Sequence, residues 1–141
     1  MATTSKKGTP EKKASISYWS KDKVQCPVCK KAFEREIMRS GNGRMIAGGL
    51  TEELHRIYEP SAKFGRIYPL IYEIGVCPNC YTALLWNDFT EKMDPDDADK
   101  LFEHSEKRKN ACEAIFFYFN LKHESTLFDG TAMYYLSLLT F

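Results

Sequence analysis

No stretch of this 141-residue chain approaches the roughly 18 consecutive apolar residues that a membrane span needs. It does not open on the basic-then-apolar leader of a secreted protein, so a soluble, cytoplasmic protein is expected. Net charge is nearly absent: twenty Lys and Arg face nineteen Asp and Glu, and the balance of +1 names no partner. Cysteine is scarce, at five, too few for a densely disulfide-stapled scaffold. Histidine is scarcer. His55, His104 and His123 stand apart and form no His-x-x-x-His or Cys–His ligand spacing. They read as surface or helix-end residues, with His55 the one expected to be partly buried. Gly41, Gly43, Gly48 and Gly49 match neither the phosphate-loop pattern nor a dinucleotide fingerprint, and read as a hairpin tip around Asn42-Gly43. No Ser-His-Asp grouping and no pair of catalytic carboxylates emerges. No catalytic residue, and no enzymatic activity, is expected.

What is present describes a folded chain. It is 43% hydrophobic, with nine Phe, eight Tyr and two Trp, and its length suits about one domain. Charge is unevenly placed. Residues 1–31 hold eight Lys against Glu11 and Asp22, whereas residues 70–141 hold twelve acids against six bases. Residues 1–17 are almost devoid of apolar side chains and are expected to be a disordered basic arm, order beginning at Tyr18 and Trp19.

Four of the five cysteines fall in two copies of one pattern, Cys26-Pro27-Val28-Cys29 and Cys77-Pro78-Asn79-Cys80, separated by 47 residues. Two thiolates two residues apart can reach one ion, and two such turns complete a tetrahedron with Zn–S near 2.3 Å and sulfurs about 4 Å apart. Cys26, Cys29, Cys77 and Cys80 are therefore the expected metal ligands. Zn²⁺ is the expected ion, and iron in a rubredoxin-like site uses the same ligands. Four protein ligands leave no open coordination position, which argues for a structural role. Lys23, Lys30 and Lys31 stand where they can offset part of the thiolate charge. Cys112, beside Ala111, Ala114 and Ile115, reads as a small buried hydrophobe.

The expected fold class is α+β: a zinc-ribbon-like β part over residues 18–81 with the four-cysteine metal site, then a helical part over residues 82–141. Phe33 to Met38 and Ile67 to Val76 read as strands, and Thr51 to Tyr58 as a short helix. Thr82 to Met93 reads as helical, from the spacing of Leu84, Leu85, Trp86 and Phe89. Asp94-Pro95 opens a longer helix expected to reach Phe119, with a break allowed in its polar stretch Glu103 to Asn110. Asp94, Asp96, Asp97 and Asp99 read as capping acids, since the later ligands of a calcium loop are missing. A last helix is expected from Asp129 to Phe141, apolar nearly all round. It docks on the preceding helices, needs a partner, or belongs to a chain that continues.

From about Val24 onward the sequence resembles a bacterial family catalogued as a domain of unknown function. The resemblance rests on Lys23 to Cys29 with Phe33, and on Tyr72 to Tyr81 with Phe89. It implies two CPxC knuckles, tetratricopeptide-like helices after the second, further helices beyond, and no particular activity. The knuckles depart from the general CPxCG form, with Lys30 and Tyr81 where glycine is usual. The expected function is a zinc-stabilised protein-interaction or scaffold module whose C-terminal helix takes a protein partner or a second copy. The alternatives are a nucleic-acid-binding ribbon using Tyr18, Trp19, Lys21 and Lys23, and an iron electron-transfer protein.

Overall fold

The computed structural model describes residues 14–140. Among the described residues, six short strands and three helices make a mixed α+β fold. The strands are β1 (Ser17–Gln25), β2 (Ala32–Met38), β3 (Ile46–Leu50), β4 (Arg56–Glu59), β5 (Ile74–Val76) and β6 (Ala83–Leu85). The helices are α1 (Pro95–Glu103), α2 (Ser105–Ile115) and α3 (Leu127–Thr140). Single 3₁₀ turns lie at Pro69–Tyr72 and Asp88–Thr90. The strands form three separate antiparallel pairs, β1–β2, β3–β4 and β5–β6. Each CPxC turn is the connection of one pair: residues 26–31 join β1 to β2, and residues 77–82 join β5 to β6.

Several segments differ from the sequence expectation. Thr51 to Tyr58 is no helix. A turn with Leu54 at φ 65° leads into β4, whose Arg-Ile-Tyr-Glu run pairs with β3. An eight-residue helix is marginal without packing, and strand pairing wins. Ile67 to Val76 is a strand only at its end, because Pro69 lacks the N–H a ladder needs and opens the 3₁₀ turn instead. Thr82 to Met93 is also not a helix. Its first residues are β6, carried by the hairpin through residues 81 and 82, and Leu84 and Phe89 are buried from strand and turn positions. Short apolar runs fit both periods. The turn at Gly41 to Arg44 joins β2 to β3, which do not pair, so it is not a hairpin tip. Gly48 and Gly49 lie within β3. His55 is exposed.

The helical half follows its capping chemistry. Asp94 accepts from the Asp96 N–H at 2.9 Å, and Pro95 sits in the first turn of α1. The helix breaks at His104, inside the polar stretch, and α2 ends at Ile115, short of Phe119. α3 starts two residues earlier than expected. Asp129 accepts from the Thr126 N–H at 2.9 Å, while Thr126 Oγ1 accepts from the Asp129 N–H at 3.3 Å, a reciprocal N-terminal cap.

Two apolar clusters meet at the second knuckle. One gathers Val28, Phe33, Leu84 and Phe89 around the knuckle cysteines. The other packs Ala132, Met133 and Leu136 of α3 against Ile74, Val76 and Ala83, with Cys112 of α2. Burying Leu136 or Ile74 fully is worth about 1.5–3 kcal/mol each. Gly130 lets α3 cross the 3₁₀ turn closely, since a Cβ there would overlap Ile71. Two carboxylates fasten the β1–β2 hairpin to the lead-in of α3. Glu36 accepts from Ser17 Oγ at 2.5 Å and the Ser125 N–H at 3.0 Å, and Glu124 accepts from the Ile16 N–H at 2.8 Å. Ser17 therefore belongs to β1, one residue inside the expected arm; residues 1–13 of that arm lie outside the described residues.

Candidate metal centre

Both knuckles fold by the same backbone bonds. The first cysteine's C=O accepts from the N–H four residues on (Lys30 and Tyr81, each at 2.9 Å), and its N–H donates to the C=O five residues on (Lys31 and Thr82, each at 3.0 Å). This closed turn needs a left-handed residue at its fourth step. Lys30 has φ 63° and Tyr81 has φ 55°. The knuckles thus keep the geometry that glycine usually serves, at about 1–2 kcal/mol of strain per residue. Side-chain contacts offset part of that cost. Lys30 Nζ donates to the Pro27 C=O at 2.8 Å, and the Tyr81 ring packs edge-on to Phe119 with Lys109 Nζ 5.6 Å from its centre.

The turns bring the four sulfurs together. Cys26 and Cys80 Sγ are 3.6 Å apart, Cys29 and Cys77 Sγ 3.5 Å, and all four lie within 4.8 Å of one another. The short pairs match a tetrahedron's edge; the bound on the whole set is wider than the expected 4 Å. These separations are far beyond a disulfide's roughly 2.05 Å, and the cysteines are free thiols. Cys26, Cys77 and Cys80 are buried and Cys29 is partly exposed. Crowding divides the thiols. The neighbouring Cys26 and Cys80 sulfurs, together with burial, push Cys77 up, while hydrogen bonds from Cys26, Cys77 and Thr82 pull Cys80 down. One thiolate is favoured and further ones are resisted. A soft divalent cation removes that resistance, and a set of four convergent sulfurs suits it.

The strongest charge compensation comes from a residue the sequence did not single out. Arg108 of α2 is 3% exposed and donates to the Cys80 C=O at 3.0 Å and to Thr82 Oγ1 at 3.2 Å. Thr82 Oγ1 is in turn 3.1 Å from Cys80 Sγ, so guanidinium, hydroxyl and sulfur form one chain. Burial pulls the Arg108 pKa down while the Cys80 and Cys26 sulfurs push it up. Its helical offset from buried Cys112, one turn on, was the available signal. Of the three lysines expected to serve, Lys31 bridges the knuckles through Asn79 Oδ1 at 3.0 Å, while Lys30 is engaged with Pro27 and Lys23 is exposed. Cys112 is fully buried, as expected. His123 meets Asp129 at 3.0 Å; His55, His104 and His123 stay outside the four-cysteine cluster.

The structure thus defines a small α+β protein built on paired cysteine knuckles that could hold a metal ion. The chain belongs to DUF2225, a family described as an uncharacterized protein conserved in bacteria, which it matches over residues 19–141. It is also 36% identical over 127 residues to an uncharacterized protein of Borreliella burgdorferi, covering 89% of this chain and 45% of that relative. The chain therefore spans less than half the length of the relative. No solved structure matches it. Among the described residues, no helix is long and apolar enough to cross a membrane.

Proposed function

We propose that the chain is a zinc-stabilised protein-interaction module of the cytoplasm, with a structural four-cysteine centre and no catalytic one. The convergence of Cys26, Cys29, Cys77 and Cys80 carries this reading, because four protein sulfurs fill a tetrahedral ion and leave no place for substrate. An unusual apolar exterior supports the interaction role. Leu138 is 76% exposed on α3, and Phe117 and Tyr118, adjacent rings tilted with centroids 4.2 Å apart, are 70% and 74% exposed beyond α2. Adjacent exposed aromatics such as Phe117 and Tyr118 support an interface. A protein partner or a second copy covers it. Helices α1 to α3, with α2 packed on α3, supply the tetratricopeptide-like part of the proposal.

Elemental analysis and an absorbance spectrum of the purified chain test the centre. One equivalent of zinc without visible colour is expected; a red iron–thiolate spectrum overturns the zinc assignment, and no bound metal overturns the centre. Light scattering tests the surface. Self-association that Leu138→Glu with Phe117→Glu abolishes is expected, and Leu136 is unsuited to this test because it is fully buried. A monomer that also binds no protein removes the interaction reading.

A further inference from the structure

A cavity of about 650 Å³ runs along β5, lined by that strand, by Trp19 and Lys23 of β1, by Phe33 of β2, and by Phe119 and Lys122 after α2. The ladder joining β5 to β6 sets which backbone groups face it. Gly75 lies opposite Leu84, and the flanking bonds keep the same alternation: Trp86 N–H to Glu73 C=O at 3.3 Å, and Cys77 N–H to Thr82 C=O at 3.0 Å. In an antiparallel ladder the intervening residues turn their N–H and C=O groups to the opposite edge. Those residues are Ile74 and Val76. Among the described residues, β5 pairs only with β6, and the outward groups of Ile74 and Val76 have no hydrogen-bond partner. Yet each residue is only 5% exposed. Backbone donors and acceptors withdrawn from bulk water need partners, and the cavity is where partners can come from.

We infer that this cavity is the docking slot for an extended peptide segment of a partner protein, which adds a strand to β5. The inference rests on the interaction-module reading and gives it a second, separate surface. Two donors and two acceptors recur at the two-residue repeat of a strand, about 6.8 Å, which an extended backbone matches and a helix does not. Aromatic walls from Trp19, Phe33 and Phe119 accept alternate apolar side chains. Lys23 faces Glu34 across the β1–β2 pair, and the lining Glu36 carboxylate is taken up by Ser17 and Ser125, so Lys122 is the lining cation that an acidic side chain of the peptide can meet. The occupant is thus an extended, apolar-alternating peptide bearing an Asp or Glu.

Panning a phage-displayed library of random dodecapeptides on the zinc-loaded full chain tests this. Enriched peptides of that pattern are expected, binding with micromolar Kd and slowing amide exchange at Ile74 and Val76. Val76→Pro removes one outward N–H and keeps the inward bonds to β6, and should weaken binding at least tenfold. The cobalt–thiolate spectrum reports whether that variant folds; if it does not, Lys122→Glu and peptides N-methylated at alternate residues carry the same test. No enrichment over an unrelated control protein overturns the inference, as does equal binding by Val76→Pro or by N-methylated peptides. Leu138→Glu should leave peptide binding unchanged. Absence of peptide binding by the parent chain beside intact self-association defeats the slot alone, and absence of both defeats the interaction reading.

Discussion

Arg108→Met isolates the buried cation beside the sulfurs. The substitution keeps the apolar stem and removes two bonds, to the Cys80 C=O and to Thr82 Oγ1. The Cys80 C=O left unpartnered in the interior costs about 1–3 kcal/mol, while Thr82 Oγ1 keeps its contact with Cys80 Sγ. The metal-free protein recovers part of this, because an uncompensated guanidinium is no longer buried where thiols are protonated. The loaded centre recovers none. Four thiolates around a divalent ion carry two surplus negative charges, and Arg108 is the cation inside. Removing such a support typically weakens metal binding 10–100-fold, or about 1.4–2.8 kcal/mol at 1.4 kcal/mol per tenfold. Titration against a chromophoric zinc chelator reads that ratio, and chelator-treated melts read the metal-free stability. Arg108→Lys should recover part of the affinity through charge, without the planar two-bond geometry. Unchanged affinity in Arg108→Met beside a large fall in metal-free stability would refute the electrostatic role and leave Arg108 a packing residue.

Three smaller predictions follow from single contacts. Cys112 is held neutral, its pKa pushed from 9.0 up to about 11 by burial and by Glu113; the stabilisation is complete below pH 9 and is lost as pH rises through about 11. At about 1.4 kcal/mol per pKa unit this is about 3 kcal/mol, and Cys112→Ala should flatten denaturant stability across that window. Gly130→Ala drives a Cβ into Ile71 and should cost about 1–3 kcal/mol in urea unfolding; no loss would mean that α3 moves freely over the 3₁₀ turn. Lys30→Gly relieves the left-handed strain at φ 63° and should raise the melting temperature of the loaded protein. A fall would show that the Lys30–Pro27 bond outweighs the strain.

The convergence of the four cysteines was legible because its information is local. Two thiols two residues apart read as a pair that could share one ion whatever the rest of the chain does. Asp94-Pro95 was legible for the same reason, since a cap acts within its own turn. Segments decided by tertiary pairing were not. Leu84, Leu85, Trp86 and Phe89 suit a helical face, yet Leu84 and Leu85 form β6 because β5 stands ready to pair. Arg-Ile-Tyr-Glu at Arg56–Glu59 joins β3 by the same logic. Arg108 was hidden by its neighbours, charged residues that do lie on the solvent side. The Thr126–Asp129 cap carried a readable T-x-x-D signature, and recognising it places the start of α3 correctly. The open edge of β5 is visible only once the ladder's alternation is known.

Metal binding and helix docking should form one cooperative unit, and the second knuckle is the reason. Cys77 and Cys80 belong to the sulfur cluster, while the strands they join, β5 and β6, carry Ile74, Val76 and Ala83 into the cluster with α2 and α3. Thr140 Oγ1 accepts from the Ala83 N–H at 3.2 Å, and Arg108 reaches back from α2 to Cys80. A hairpin of two three-residue strands has little stability of its own, so its turn must be held at one end and its face covered on the other. Chelation releases the turn. Repulsion and desolvation among the four thiols then oppose the closed knuckle, and α3 loses the surface on which Met133 and Leu136 pack. Fluorescence of Trp86, read in a Trp19→Phe background, reports the sulfur cluster through its contacts with Phe33 and Phe89. Far-ultraviolet circular dichroism reports the helices. On chelator titration the two signals should change together, with one midpoint. Loss of the Trp86 signal while the helical signal persists would show that α2 and α3 stand independently of the centre.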